Sequence, residues 1–143
     1  MFINREKELA SLESAYTSKD AQFIIVYGKR RVGKTELIKQ FIKGKPHVYL
    51  LADHRPDHEQ ISEFARTLGE HFHQEYLRLD NWIDLFKYLA EKARDRFILV
   101  IDEFPHLVES NKAIASLFQK GWDEHLQQSR IFLILCGSSI GMM

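Results

Sequence analysis

A single cysteine, Cys136, leaves no partner for a disulfide within the chain. A sulfur-stapled framework is excluded, and a reducing compartment, the cytoplasm, is the expected location. There is no surplus of either charge: twenty Lys and Arg balance twenty Asp and Glu. Without a net field the chain has no global means of drawing in nucleic acid, and binding of that kind needs a local patch. Long hydrophobic runs are lacking too. The apolar stretches at residues 23–27, 48–52, 97–101 and 131–136 fall far short of the roughly 20 residues that cross a bilayer. The start, Met1-Phe2-Ile3-Asn4-Arg5-Glu6, has no signal-peptide pattern, and no membrane partner is expected. Internal repeats, low-complexity stretches and long linkers are absent. What is there is 143 residues, 45% hydrophobic and 28% charged, enough for one domain, residues 1–143, with a real core.

The most informative stretch is Tyr27-Gly28-Lys29-Arg30-Arg31-Val32-Gly33-Lys34-Thr35, which reads G-x-x-x-x-G-K-T, the P-loop or Walker A pattern. Apolar Phe23-Ile24-Ile25-Val26 precedes it and Glu36-Leu37-Ile38-Lys39-Gln40-Phe41-Ile42 follows, so the loop sits between a strand and a helix. A polyphosphate needs several backbone N–H groups aimed at one point, and Gly28 and Gly33 let the chain bend that way. The helix beginning near Gly33 turns its positive end toward the anion. Lys34 can reach the β- and γ-phosphates, and the Thr35 hydroxyl can ligate Mg²⁺. Residues 28–36 are therefore the candidate nucleotide site. Lys29, Arg30 and Arg31 are placed either to touch phosphate or to remain solvated.

Around the loop, residues 5–18 read as an amphipathic helix carrying Leu9, Leu12, Ala15 and Tyr16. Strands are expected at 22–27, 47–52, 97–101 and 131–136. Helices are expected from the P-loop to about 43, then at 58–75, at 82–94 and from about 111 to 128. Asp57 and Asp80 or Asn81 are candidate caps, Pro105 is a break, and Gly121 weakens the middle of the last helix. Strands alternating with helices predict an α/β sandwich on a mostly parallel sheet.

The run Phe97-Ile98-Leu99-Val100-Ile101 ends in Asp102-Glu103, the Walker B pattern. A buried strand holds its end rigidly, and open α/β sheets bind ligands at the strands' carboxyl ends. Asp102 would hold the Mg²⁺ shell, and Glu103 would orient and deprotonate an attacking water. Ser138 and Ser139 follow the fourth strand, which the expected sheet order sets between the two motif strands. Either hydroxyl then reaches the γ-phosphate or the water, or else satisfies its own loop backbone. His54 with His58, and His71 with His73, have spacings poorly suited to a metal and read as surface residues. Trp82 and Trp122 read as core or interface, and Tyr16, Tyr27 and Phe118 as core.

Taken with the opening Phe2-Ile3-Asn4-Arg5-Glu6-Lys7-Glu8-Leu9, the stretch Ile101-Asp102-Glu103-Phe104-Pro105 and Cys136-Gly137-Ser138-Ser139, the P-loop resembles those of the prokaryotic, largely archaeal, ATPases of the AAA+/STAND group. The resemblance covers the whole chain. It implies sheet order 5-1-4-3-2, Asn4 and Arg5 near an adenine, and a sensor role for Ser138 or Ser139. It also implies a fifth strand and a helical lid that this sequence does not carry, so order 1-4-3-2 is expected and the chain reads as the N-terminal core of a longer protein. A first strand left at the sheet edge is a pairing hazard and predicts self-association. The cofactors implied are ATP, with ADP as product, and Mg²⁺. Hydrolysis by Glu103 and Lys34 competes with a nucleotide-dependent switch of little turnover and with a small-molecule kinase. A DNA partner rests on the likeness alone.

Overall fold

The computed structural model describes residues 5–27 and 33–137. Four strands form where the apolar runs lie: β1 (Gln22–Tyr27), β2 (His47–Leu51), β3 (Ile98–Asp102) and β4 (Phe132–Gly137). They pair in parallel in the order β1-β4-β3-β2, the 1-4-3-2 arrangement expected of the sequence. Helix α1 (Arg5–Thr17) precedes the first strand; parallel neighbours need crossovers, and the later helices supply them: α2 (Lys34–Ile42), α3 (Asp57–His71), α4 (Trp82–Lys92), α5 (Pro105–Ser110) and α6 (Ile114–Glu124), with a 3₁₀ turn at Leu126–Gln128.

Strand alternation sorts the core into two layers. Ile98 and Val100 of β3, with Phe132, Ile134 and Cys136 of β4, pack against Leu12 of α1 and Leu37, Ile38 and Phe41 of α2. Leu99, Ile101, Leu133 and Leu135 face the other way, onto Phe64, Leu68, Phe86 and Phe118 of α3, α4 and α6. Both central strands are buried along their whole length, which is why they read as unbroken apolar runs. Each such Leu, Ile or Phe contributes about 1.5–3 kcal/mol of burial, so the sheet's interior is rigid enough to hold polar groups at its rim. Among the described residues, no helix is long and apolar enough to cross a membrane.

Several ends differ from the sequence expectation. The Asn81 side chain caps α4 as expected, accepting from the Asp84 N–H at 2.8 Å. Asp57 is not the cap of α3; Pro56 takes that position. The Asp57 carboxylate instead accepts from Trp82 Nε1 at 3.0 Å and Asn111 Nδ2 at 2.7 Å, tying three segments together. The third helix stops at His71 rather than 75, because His73 turns left-handed (φ 57°) and the Gln74 N–H returns to the Gly69 carbonyl at 2.8 Å. Pro105 does not simply break the chain but opens α5, where its fixed φ suits a first turn. The span expected as one helix over 111–128 begins later, at Ile114, and ends in the 3₁₀ turn. Gly121 lets α6 approach α4: a Cβ there would run into the Phe86 ring.

At the amino ends of the strands, Arg96 gathers the chain. Its guanidinium donates to the carbonyls of Ala15, Tyr16, Asp20 and Arg130 at 2.8–3.2 Å. It lies 5.3 Å from the ring centres of Tyr16 and Phe132.

Candidate functional site

At the opposite rim the carboxyl ends of the strands come together. Tyr27 pairs with Gly137 and Leu51 with Asp102, so all four strands end within about one residue of each other. Gly33 sits left-handed at φ 80°, a conformation glycine adopts without strain, and its carbonyl accepts the Leu37 N–H at 2.9 Å to begin α2. Lys34 is the first residue of that helix and is only 5% exposed. Its Nζ lies 3.3 Å from Oδ1 of Asp102, itself 7% exposed. The two motifs, 68 positions apart, thus share one buried ion pair.

A buried pair persists only when its remaining lone pairs are met. Asp102 Oδ1 also accepts the Glu103 N–H at 2.8 Å, and Oδ2 accepts the Tyr49 hydroxyl. Burial, and then the hydrogen bond to Asp102, drive the Tyr49 hydroxyl's pKa upward, so Tyr49 stays a donor. Burial likewise pushes the Cys136 thiol up to about 12, with Asp102 adding to it. Glu103 follows in the left-handed region at φ 56°, uncommon for a residue with a side chain. The turn is held there because the Phe104 N–H donates to the Cys136 carbonyl of β4 at 2.9 Å. Glu103 Oε2 lies 3.6 Å from His106 Nε2 on α5.

Thr35 and Glu36 are exposed in the first turn of α2, at its positive end. Carboxylates and a hydroxyl are hard oxygen donors, and with a buried ammonium beside them they suit a magnesium-bound polyphosphate. The strand ahead of Ser138 and Ser139, β4, does lie between β1 and β3. Those two serines fall outside the described residues, as do Asn4, Gly28, Lys29, Arg30, Arg31 and Val32, and the Arg5 side chain with them.

Two residues at the rim escaped the sequence reading. Tyr49 lies inside an apolar run, and only the pairing of β2 with β3 brings its hydroxyl to Asp102. His106 is three residues from Glu103, a spacing that becomes a shared face only because α5 is a helix.

The family of ATPase domains predominantly from Archaea matches residues 2–143. An uncharacterized protein of Methanocaldococcus jannaschii is 37% identical over all 143 residues, and the chain spans 31% of that relative's length. An uncharacterized ATP-binding protein of the same organism is 53% identical over 45 residues, 32% of this chain and 76% of the relative. Among solved structures, a Walker-type ATPase of Pyrococcus abyssi superposes with a TM-score of 0.73 at 24% identity, over 99% of this chain and 47% of that one. The ORC2 protein of Aeropyrum pernix, solved in ADPNP–ADP complexes, gives 0.69 at 16%, over 97% and 42%. At those identities the structures speak to the fold, and the sequence match to the kinship: the chain belongs to the family of ATPase domains found predominantly in Archaea.

Proposed function

We propose that this chain binds ATP with Mg²⁺ at the carboxyl rim of the sheet and hydrolyses it, as the nucleotide-binding core of a longer protein. The observation that carries the reading is the buried contact of Lys34 Nζ with Asp102 Oδ1, 3.3 Å apart. It brings a phosphate-binding cation and a metal-binding carboxylate to one point beside a helix N-terminus.

Lys34 neutralises charge on the transferred phosphoryl group, exchanging its bond to Asp102 for phosphate oxygens. Asp102 and Thr35 are the residues that would hold Mg²⁺, which when bound screens the charge developing on the phosphate oxygens. Tyr49 and the Glu103 N–H fix the Asp102 carboxylate in orientation. Glu103 takes the proton of the attacking water, and Ser138 or Ser139 contacts the γ-phosphate. The glycine-bounded loop 28–32 wraps the phosphates, with Asn4 and Arg5 near the base. DNA remains a partner by likeness only, since a solved relative of the fold is a Drosophila ORC bound to DNA; salt-dependent duplex binding is its test.

The decisive experiment measures ATP affinity with and without Mg²⁺, and turnover, for the parent, Lys34→Ala and Glu103→Gln. Lys34→Ala is expected to lose nucleotide binding. Glu103→Gln is expected to keep affinity within a few-fold while turnover falls about 10²–10⁴-fold. Unchanged turnover in Glu103→Gln removes Glu103 as the base, and undiminished affinity in Lys34→Ala removes the site itself.

A further inference from the structure

The geometry points to a second metal site beside this one, for a single borderline divalent transition ion of the zinc class, formed by His54, His106 and Glu109 and linked to Glu103 through the His106 ring. One ligand atom from each of the three lies within 4.8 Å of the others. His54 Nδ1 is 3.5 Å from Glu109 Oε2, and His106 Nδ1 is 3.9 Å from Glu109 Oε1. Donors around a tetrahedral zinc sit about 2.0–2.1 Å from the ion and hence about 3.4 Å from one another, so only small side-chain adjustments close the site. The two imidazole rings lie 3.9 Å apart, centre to centre, and spread to about 5 Å when a nitrogen of each faces one ion.

The placement follows from the fold. His54 leaves the carboxyl end of β2, and His106 and Glu109 lie one turn apart on α5, immediately after the Walker B strand. His54 and Glu109 face solvent, which leaves an entry path and a fourth position for water. The neighbouring carboxylate of Asp53 is engaged by Arg55 Nε at 2.8 and 3.0 Å, so Glu109 is the carboxylate turned toward both rings.

A separate observation singles out this cluster. His106 Nδ1 is buried and has no hydrogen-bond partner, a costly state for a ring nitrogen. The other nitrogen of the same ring, Nε2, faces Glu103 Oε2 at 3.6 Å. An ion on Nδ1 fixes the proton on Nε2, which then donates toward the Glu103 carboxylate. That carboxylate–histidine–metal relay orients both ligand and acid. Two imidazoles suit zinc, cobalt or copper rather than Mg²⁺, so the site does not compete for the ion of Asp102 and Thr35.

That the ion acts on the active site rests on the reading of Glu103 as general base; the site itself does not. The test uses the full chain without nucleotide, in excess Mg²⁺, titrated with Co²⁺ as a visible-absorption probe and then with Zn²⁺. Expected are one Co²⁺ per chain, displaced by Zn²⁺, and affinity at least tenfold weaker in His54→Ala and in Glu109→Ala. Both positions are exposed, and circular dichroism checks their fold. Glu103→Gln is expected to lower the affinity about tenfold with the absorption band unchanged. No uptake beyond the buffer control, or uptake undiminished in His54→Ala and Glu109→Ala, overturns the site. Undiminished affinity in Glu103→Gln overturns the link to the acid, whatever ATP turnover shows.

Discussion

Glu103 occupies a backbone conformation that glycine or asparagine would adopt more readily, at a cost of about 1–2 kcal/mol for other side chains. Such strain persists where the surroundings over-determine it, and here the Phe104–Cys136 bond does so. Glu103→Asn is therefore expected to raise stability by about 1 kcal/mol while turnover collapses, read as a higher denaturation midpoint beside a lost ATPase rate. A lower midpoint removes the strain argument. Cys136, buried on the inner strand β4, gives the pH dependence. Folded, its thiol keeps its proton up to about 12, against an ordinary 9.0. Between those values the unfolded chain binds fewer protons, so this contribution is fully present below 9.0 and is lost as pH rises toward 12. Denaturant midpoints taken on both sides of 9.0 should fall in the parent and stay flatter in Cys136→Ala. Slow reaction with thiol reagents, until the chain is unfolded, follows from the same burial.

Elements were legible where local chemistry alone decides them. The four apolar runs, the Asn81 cap and the Gly-Lys-Thr start of α2 are complete signals within a few residues, and each formed within one or two positions of its expected place. Signals that depend on a distant partner were not legible. Asp57 looked like a cap but serves Trp82 and Asn111 across the fold. Tyr49 looked apolar, and His106 carried no pattern until the chain folded it beside His54. Gly121 shows both halves of this. As a lone helical glycine it costs about 1 kcal/mol against alanine, yet the closeness of α6 to Phe86 of α4 requires it. Gly121→Ala is accordingly expected to destabilise by about 1–3 kcal/mol through overpacking. Propensity alone predicts the reverse sign, so the denaturation midpoint distinguishes the two.

For the molecule as a whole, β1 and β2 are the outer strands among the described residues, and Ile25 on β1 is 47% exposed. An open strand edge with an exposed apolar residue invites pairing with another chain. We expect concentration-dependent association by light scattering, reduced in Ile25→Lys; a monomer at every concentration counts against it. The two rims of the sheet are built unlike each other. One holds the buried Lys34–Asp102 pair, which under the proposed function would exchange partners on binding a nucleotide. The other is cinched by a single guanidinium that grips four carbonyls from three stretches of backbone. Amide protons at the Arg96 end should then be the slowest to trade with deuterium, and the gradient of protection along β3 and β4 should run downhill toward Asp102 and Gly137, like a fan riveted at its handle and free at its leaves.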